Sequence, residues 1–295
     1  MNEVQSRDGN DGRGRELSVQ LRRWTRCLGV LVFCLLFAAP GFGPQTRTPD
    51  VIYVPTDQAV VDEMLLMAKV SKDSVVYDLG CGDGRIVITA ARRYGARGVG
   101  IDIDPDRIVE SKDNARAAHV AGRVRFLQAD LFQTDFHEAT AVMLYLLTSL
   151  NVRLRPILLR QLKPGTPVVS HDFMMGDWQP DTINSVNGAA IFLWIVPARV
   201  AGVWQWTVAN GSQNDRYELT LRQEFQKLIG TLMVNGKEEP FSSALLSGDR
   251  LEFQSGPRHF SAQVIDDTIN GLMTEGPREW AWTAKRTQGS GEPLE

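Results

Sequence analysis

Three carboxylates in this chain each follow a short β-branched or aromatic run. They are Asp78 in Val75-Val-Tyr-Asp78, Asp102 in Val99-Gly-Ile-Asp102, and Asp130 in Phe126-Leu-Gln-Ala-Asp130. The first leads directly into Leu-Gly80-Cys-Gly82-Asp83-Gly84-Arg85, a glycine-rich turn between a strand and a helix. Glycines here permit positive φ and let a ligand approach the main chain closely. Turns of this kind can hold a pyrophosphate at the helix N-terminus. In this chain Asp78 and Asp83 would repel one, and Arg85 stands where a dinucleotide site needs glycine. A nucleoside that carries positive charge and no phosphate is attracted instead, and S-adenosylmethionine (SAM), with its sulfonium and ammonium groups, is such a ligand. Asp102, twenty residues after Gly82, is placed for the ribose hydroxyls. Asp104, before Pro105, is placed for a helix N-cap, a use also open to Asp102. Asp130 is placed to accept the adenine amine, with Leu131 supplying a backbone donor.

An acceptor for such a ligand belongs at the C-terminal ends of the strands, where open α/β sheets bind ligands. Two stretches qualify, Tyr145–Ser149 and Ser170-His171-Asp172-Phe173. His171 and Asp172 are candidates for orienting an acceptor or relaying its proton, and the alternative for His171 is a hydrogen-bonded loop histidine. Tyr145 is a further catalytic candidate, against core packing. Trp178 would line an acceptor groove or cover the sheet edge. The fourth strand is not followed by the Asn/Asp-Pro-Pro-aromatic run of amide and adenine methylation, because Leu144-Tyr145-Leu-Leu-Thr148 stands there. No His/carboxylate cluster has metal-ligand spacing, so no metal centre is expected.

The elements that must position these groups alternate. Strand-like runs at 75–78, 99–102, 124–127, 141–147 and 167–170 alternate with helix-period stretches at 60–70, 84–94, 105–120 and 150–162, the order of a parallel sheet covered by helices. Pro156 marks the first turn of the last helix or kinks it. After about residue 200 the pattern becomes short strands separated by Asn210-Gly211, Asn235-Gly236, Asn270-Gly271 and Gly276-Pro277, an all-β meander that forms a small barrel or sandwich. Trp204, Trp206, Trp280 and Trp282 are expected to face its core. The domains are therefore read as 50–200 and 201–286, with 1–20 disordered and 287–295 a frayed tail. Residues 21–44 join a basic stretch to an uncharged apolar run over 27–44, a signal or membrane anchor. The net charge of -3 provides no basic field for a nucleic-acid partner.

The motif Asp78-Leu-Gly-Cys-Gly-Asp-Gly84 resembles that of class I SAM-dependent methyltransferases. With Tyr53-Val-Pro-Thr56 ahead of it and Arg85-Ile-Val87 behind, the chain is similar to the membrane-associated protein-lysine methyltransferases, a family that includes the enzyme methylating the ATP synthase c-subunit. That resemblance implies a Rossmann-like doubly wound α/β sheet and a lysine acceptor. It also implies that Tyr53 to Thr56 close over the methionine end of SAM. The β region departs from the family. It leaves open a small-molecule or lipid acceptor presented by the β region; a SAM-binding β-barrel interaction protein without catalysis is a third reading, against which the intact acidic and glycine positions argue. The expected location is membrane-associated or exported, with catalysis facing the cytoplasm if 21–44 is not an export signal.

Overall fold

A computed structural model of the chain describes residues 48–289, all within one compact unit. The expectations for 1–20, for the apolar run 27–44 and for 290–295 lie outside the described residues. Among the described residues no helix is long and apolar enough to cross a membrane.

The first half is a seven-stranded sheet in the order β3-β2-β1-β4-β5-β7-β6. Its first five strands are parallel: β1 (Val75–Leu79), β2 (Arg97–Asp102), β3 (Val124–Gln128), β4 (Ala141–Leu144) and β5 (Pro167–His171). β1 is buried throughout, as a strand covered on both faces must be. Its side chains alternate between two cores. Val76 packs with Val61, Leu65, Val87 and Ile108, beneath helices α1 (Gln58–Met67), α2 (Arg85–Thr89) and α3 (Pro105–Ala117). Tyr77 and Leu79 pack on the other face with Leu154 and Leu158 of α4 (Thr148–Gln161).

Local chemistry sets the helix starts. Asp57 accepts from the Ala59 amide at 2.8 Å to cap α1, and Asp104 accepts from Asp106 at 2.8 Å with Pro105 in the first turn of α3. α2 runs on as a π-helical turn over Ala90–Tyr94, ended by Gly95 at φ +71°.

The structure corrects several expectations. The fourth strand ends at Leu144, three residues short, because Leu147 already stands at the start of α4. Pro156 lies inside α4, which continues through it, rather than in its first turn. A hairpin of β6 (Thr182–Val186) and β7 (Ala189–Ile195) adds two antiparallel strands beside β5.

The second half is one antiparallel sheet of nine strands in the order β11-β10-β9-β8-β16-β15-β14-β13-β12. They are β8 (Gly202–Asn210), β9 (Gln213–Glu224), β10 (Lys227–Val234), β11 (Lys237–Glu239), β12 (Ser242–Ser247), β13 (Arg250–Ser255), β14 (Arg258–Ile265), β15 (Thr268–Glu275) and β16 (Arg278–Gln288). β11 and β12 are opposite edges, yet only Pro240 and Phe241 separate them in the chain. Three Cα–Cα steps span at most about 11 Å, so the sheet must curl enough to bring β12 back beside β10. It is a half-barrel, not a sandwich. Trp204, Trp206 and Trp282 are buried in its core and Trp280 packs against them. β16 extends to Gln288, so Thr287 and Gln288 belong to a strand and not to a frayed tail.

Candidate active site

Strand order reverses between β2-β1 and β1-β4, so the loops after β1 and β4 part and leave a crevice at the carboxyl ends of the strands. A cavity of about 500 Å³ fills it. The loop after β1 forms one wall. Gly80 and Cys81 both donate to the Ile101 carbonyl, at 2.8 and 3.0 Å. The Gly82 amide donates to Asp102 Oδ2 at 2.8 Å, and Asp102 Oδ1 accepts from the Asp104 amide at 3.0 Å. Gly82 has φ +51°, and a Cβ there would lie 2.3 Å from the Tyr53 ring. Glycine is thus required by both backbone and packing.

The opposite wall is the segment 48–56, which crosses the cavity as a strap. Arg85 fastens it: Nη1 donates to the Thr56 carbonyl at 2.7 Å, while Nε and Nη2 grip the Asp83 carboxylate at 2.7–3.1 Å. The Arg107 guanidinium lies 4.9 Å over the Tyr53 ring.

Electrostatics in the crevice favour a cation. Burial pushes the Asp78 carboxyl up to about 8, with Asp102 and Asp83 adding to the rise. Burial also raises Asp102, partly offset by the amides of Asp104 and Gly82. Burial works on Asp83 in the same direction, but hydrogen bonds from Arg85 hold it below the usual carboxylate range.

At the far end Tyr145 lines the cavity, and its ring stacks on His171 with centroids 3.8 Å apart. His171 is buried; its Nδ1 is 3.3 Å from Thr56 Oγ1 and its Nε2 is 3.3 Å from Asp172 Oδ2. Burial lowers its pKa against the opposing pull of Asp172, so the imidazole is neutral at pH 7. Asp172 sits at φ +59°, where its Oδ1 accepts from the Ala190 amide at 2.7 Å and its own amide donates to Ala190. It ties the end of β5 to β7. Phe173, next along, lies 6.0 Å from Tyr145.

Of the residues singled out from sequence, Tyr53, Thr56, Asp78, Gly80, Asp83, Asp102, Asp130, Leu131 and Tyr145 line this one cavity. Gly82 lies beneath Tyr53, and Gly84 (φ +80°) heads α2, where a Cβ would strike the Phe126 ring at 2.6 Å. His171 and Asp172 stand behind Tyr145, outside the lining. Trp178 is fully buried and lines no groove. Arg85 and Arg107 were missed as fasteners of the strap. The signal for Arg85 was its place two residues after Asp83, a spacing that suits an ion pair at a helix start.

A doubly wound sheet whose glycine loop and acidic strand ends enclose one crevice defines the class I methyltransferase architecture. Comparison with known proteins agrees. Residues 78–182 match the family described as ANTKMT methyltransferase domain. A protein-lysine N-methyltransferase of Saccharolobus islandicus (strain REY15A) is 44% identical over 153 residues, 50% of this chain and 95% of that protein. The lysine N-methyltransferase of the ATP synthase c-subunit from Xenopus laevis is 31% identical over 155 residues, 52% of this chain and 68% of its own length. A crystal structure of an RNA methyltransferase from Salinibacter ruber, in complex with S-adenosyl-L-homocysteine, is 56% identical, covering 50% of this chain and 96% of that one with a TM-score of 0.49. The chain belongs to the protein-lysine N-methyltransferase family, and about half of its length lies outside each match.

Proposed function

We propose that this enzyme transfers a methyl group from SAM to the side-chain amine of a lysine in a protein. The observation that carries the reading is the crevice itself: Asp78, Asp83 and Asp102 converge on a glycine loop, and burial beside the other two raises Asp78 to about 8. The residues fit SAM. Asp102 suits the ribose, Asp130 and Leu131 the adenine, and Asp78 with the strap residues Tyr53 and Thr56 the charged methionine end. SAM supplies an activated methyl on a sulfonium, so the chain needs to align and desolvate more than to activate.

Tyr145, Leu146 and the strap form apolar walls at the end of the cavity where the amine enters. Such walls lower a lysine pKa and favour the neutral, nucleophilic amine. The lysine ammonium must first give up a proton; its neutral nitrogen then takes the methyl as the sulfur–carbon bond breaks, leaving a methylammonium and S-adenosylhomocysteine. Neutral His171, linked to Thr56 on the cavity wall, orients Tyr145 and gives that proton a route through Thr56.

The test is transfer of labelled methyl from SAM to protein fractions, lipid extracts and RNA. Label on protein, recovered as methyl-lysine, supports the proposal; label confined to lipid or RNA overturns the lysine acceptor. RNA is disfavoured by the net charge of -3. The apolar run 27–44 supports attachment to a membrane, and release of the full chain from membranes by carbonate would contradict it.

A further inference from the structure

The turn between β9 and β10 leaves the half-barrel. Phe225, at φ +53° and 3% exposed, packs within the methyltransferase core and not in the core of its own sheet. Its ring stacks on Trp178 with centroids 5.6 Å apart at 16°, and the Arg155 guanidinium covers it at 5.0 Å. The next residue completes a clasp. Gln226 Oε1 accepts from Trp178 Nε1 at 2.9 Å, and Gln226 Nε2 donates to the Gln179 carbonyl at 2.8 Å.

What is clasped is the segment that follows β5. It begins at Asp172, directly after His171, carries Phe173 against Tyr145, and ends at Trp178. From inside the methyltransferase half it is held by Asn151, which donates to the Phe173 carbonyl at 3.1 Å, and by Arg155, which donates to the Met175 carbonyl at 2.9 Å. Arg155 touches both Met175 and the Phe225 ring, so the inner and outer restraints meet on one side chain.

We infer that Phe225 and Gln226 are positioning residues for methyl transfer: through Trp178 the half-barrel fixes the segment whose Phe173 backs Tyr145, the residue that lines the acceptor end of the cavity. This rests on the methyl-transfer reading above but not on lysine being the acceptor. No atom of the clasp lines the cavity, so cofactor binding should be indifferent to it while acceptor alignment is not.

Two mild variants test it: Gln226→Met, which keeps bulk without hydrogen bonds, and Trp178→Phe, which keeps a ring without the N–H. Hydrogen exchange is followed on the whole protein with no acceptor present. Amides of 173–178 should exchange about tenfold faster in each variant, with those of 78–84 unchanged, because local opening costs less once the clasp is gone. Turnover should fall about tenfold while the dissociation constant of S-adenosylhomocysteine stays within about twofold of wild type. The double variant should lose less than the sum of the two single ones, since both remove the bond between Trp178 and Gln226. Phe225→Leu should restore most of what Phe225→Ser loses. Unaltered exchange over 173–178, or cofactor affinity falling in step with turnover, overturns the inference. Absence of methylation by the wild type would instead overturn the proposed function, and exchange would still decide the clasp.

Discussion

Asp78 is the residue whose chemistry is most displaced by folding. Its ordinary value is 3.8 and burial raises it to about 8, so the folded protein holds its proton across that window. The sign follows: with the folded value above the unfolded one, the group's contribution to stability falls as pH rises from about 4 to about 8. A bound cation reverses the preference by stabilising the carboxylate. At pH 7, SAM binding should therefore expel up to about one proton from Asp78. Calorimetry in two buffers of different ionisation enthalpy reads this directly, and Asp78→Asn should bind with that release abolished. Equal release in the variant would refute the assignment. His171 makes a different case. It touches Thr56, Asp172 and the Tyr145 ring but lies outside the cavity lining, the geometry of a group that orients Tyr145 and takes a proton only through Thr56. His171→Ala should lower turnover about tenfold and leave cofactor affinity nearly unaltered. In the wild type the acid limb of the rate profile should fall below pH 6.5, the ordinary histidine value, because burial lowers this one. A limb above that value would point to a different titrating group.

At the scale of elements, the strap over 48–56 and the glycine loop form one device. Gly82→Ala would place a methyl in the Tyr53 ring at a backbone angle that alanine resists, and Arg85→Met would release the Thr56 carbonyl and Asp83 together. Both should weaken S-adenosylhomocysteine about tenfold or more, a loss of about 1.4 kcal/mol, as titration calorimetry would show. Unchanged affinity in both would mean that the strap plays no part in holding the cofactor. Much of this device was legible in the sequence, because glycine turns and strand-end carboxylates announce themselves through residue type and spacing. The strap's fastening was only half legible: the spacing of Asp83 and Arg85 suits an ion pair, but nothing in the sequence sets the Thr56 carbonyl beside them. The β6–β7 hairpin escaped for another reason. Ala189-Ala-Ile-Phe-Leu-Trp-Ile195 is apolar throughout, and a continuous apolar run has no period to separate strand from buried helix. β12 escaped because its pairing with β13 is irregular between Ser242 and Leu245, which breaks the alternation a strand is recognised by. β11 escaped as well, being three polar residues long; the rhythm of the remaining half-barrel strands was plain, since Asn-Gly and Gly-Pro turns punctuate it.

For the whole molecule, the two sheets are not independent bodies joined by a tether. Phe225 of one is core to the other, and Gln226 beside it accepts from Trp178 Nε1 at 2.9 Å and donates to the Gln179 carbonyl at 2.8 Å. Thr46–Glu295 should accordingly melt in one cooperative transition. Phe225→Ala should cost about 3–5 kcal/mol, as buried phenylalanine truncations do. Two well-separated calorimetric transitions in the wild type would contradict that coupling. A last consequence lies in how the half-barrel begins and ends. Its first strand, β8, is paired with its last, β16, so Val203 stands beside Gln288. The nine strands form a circuit that returns to its own starting point. Such a module can be permuted: its ends joined, and the chain reopened at the Asn235-Gly236 turn, without breaking a strand pair.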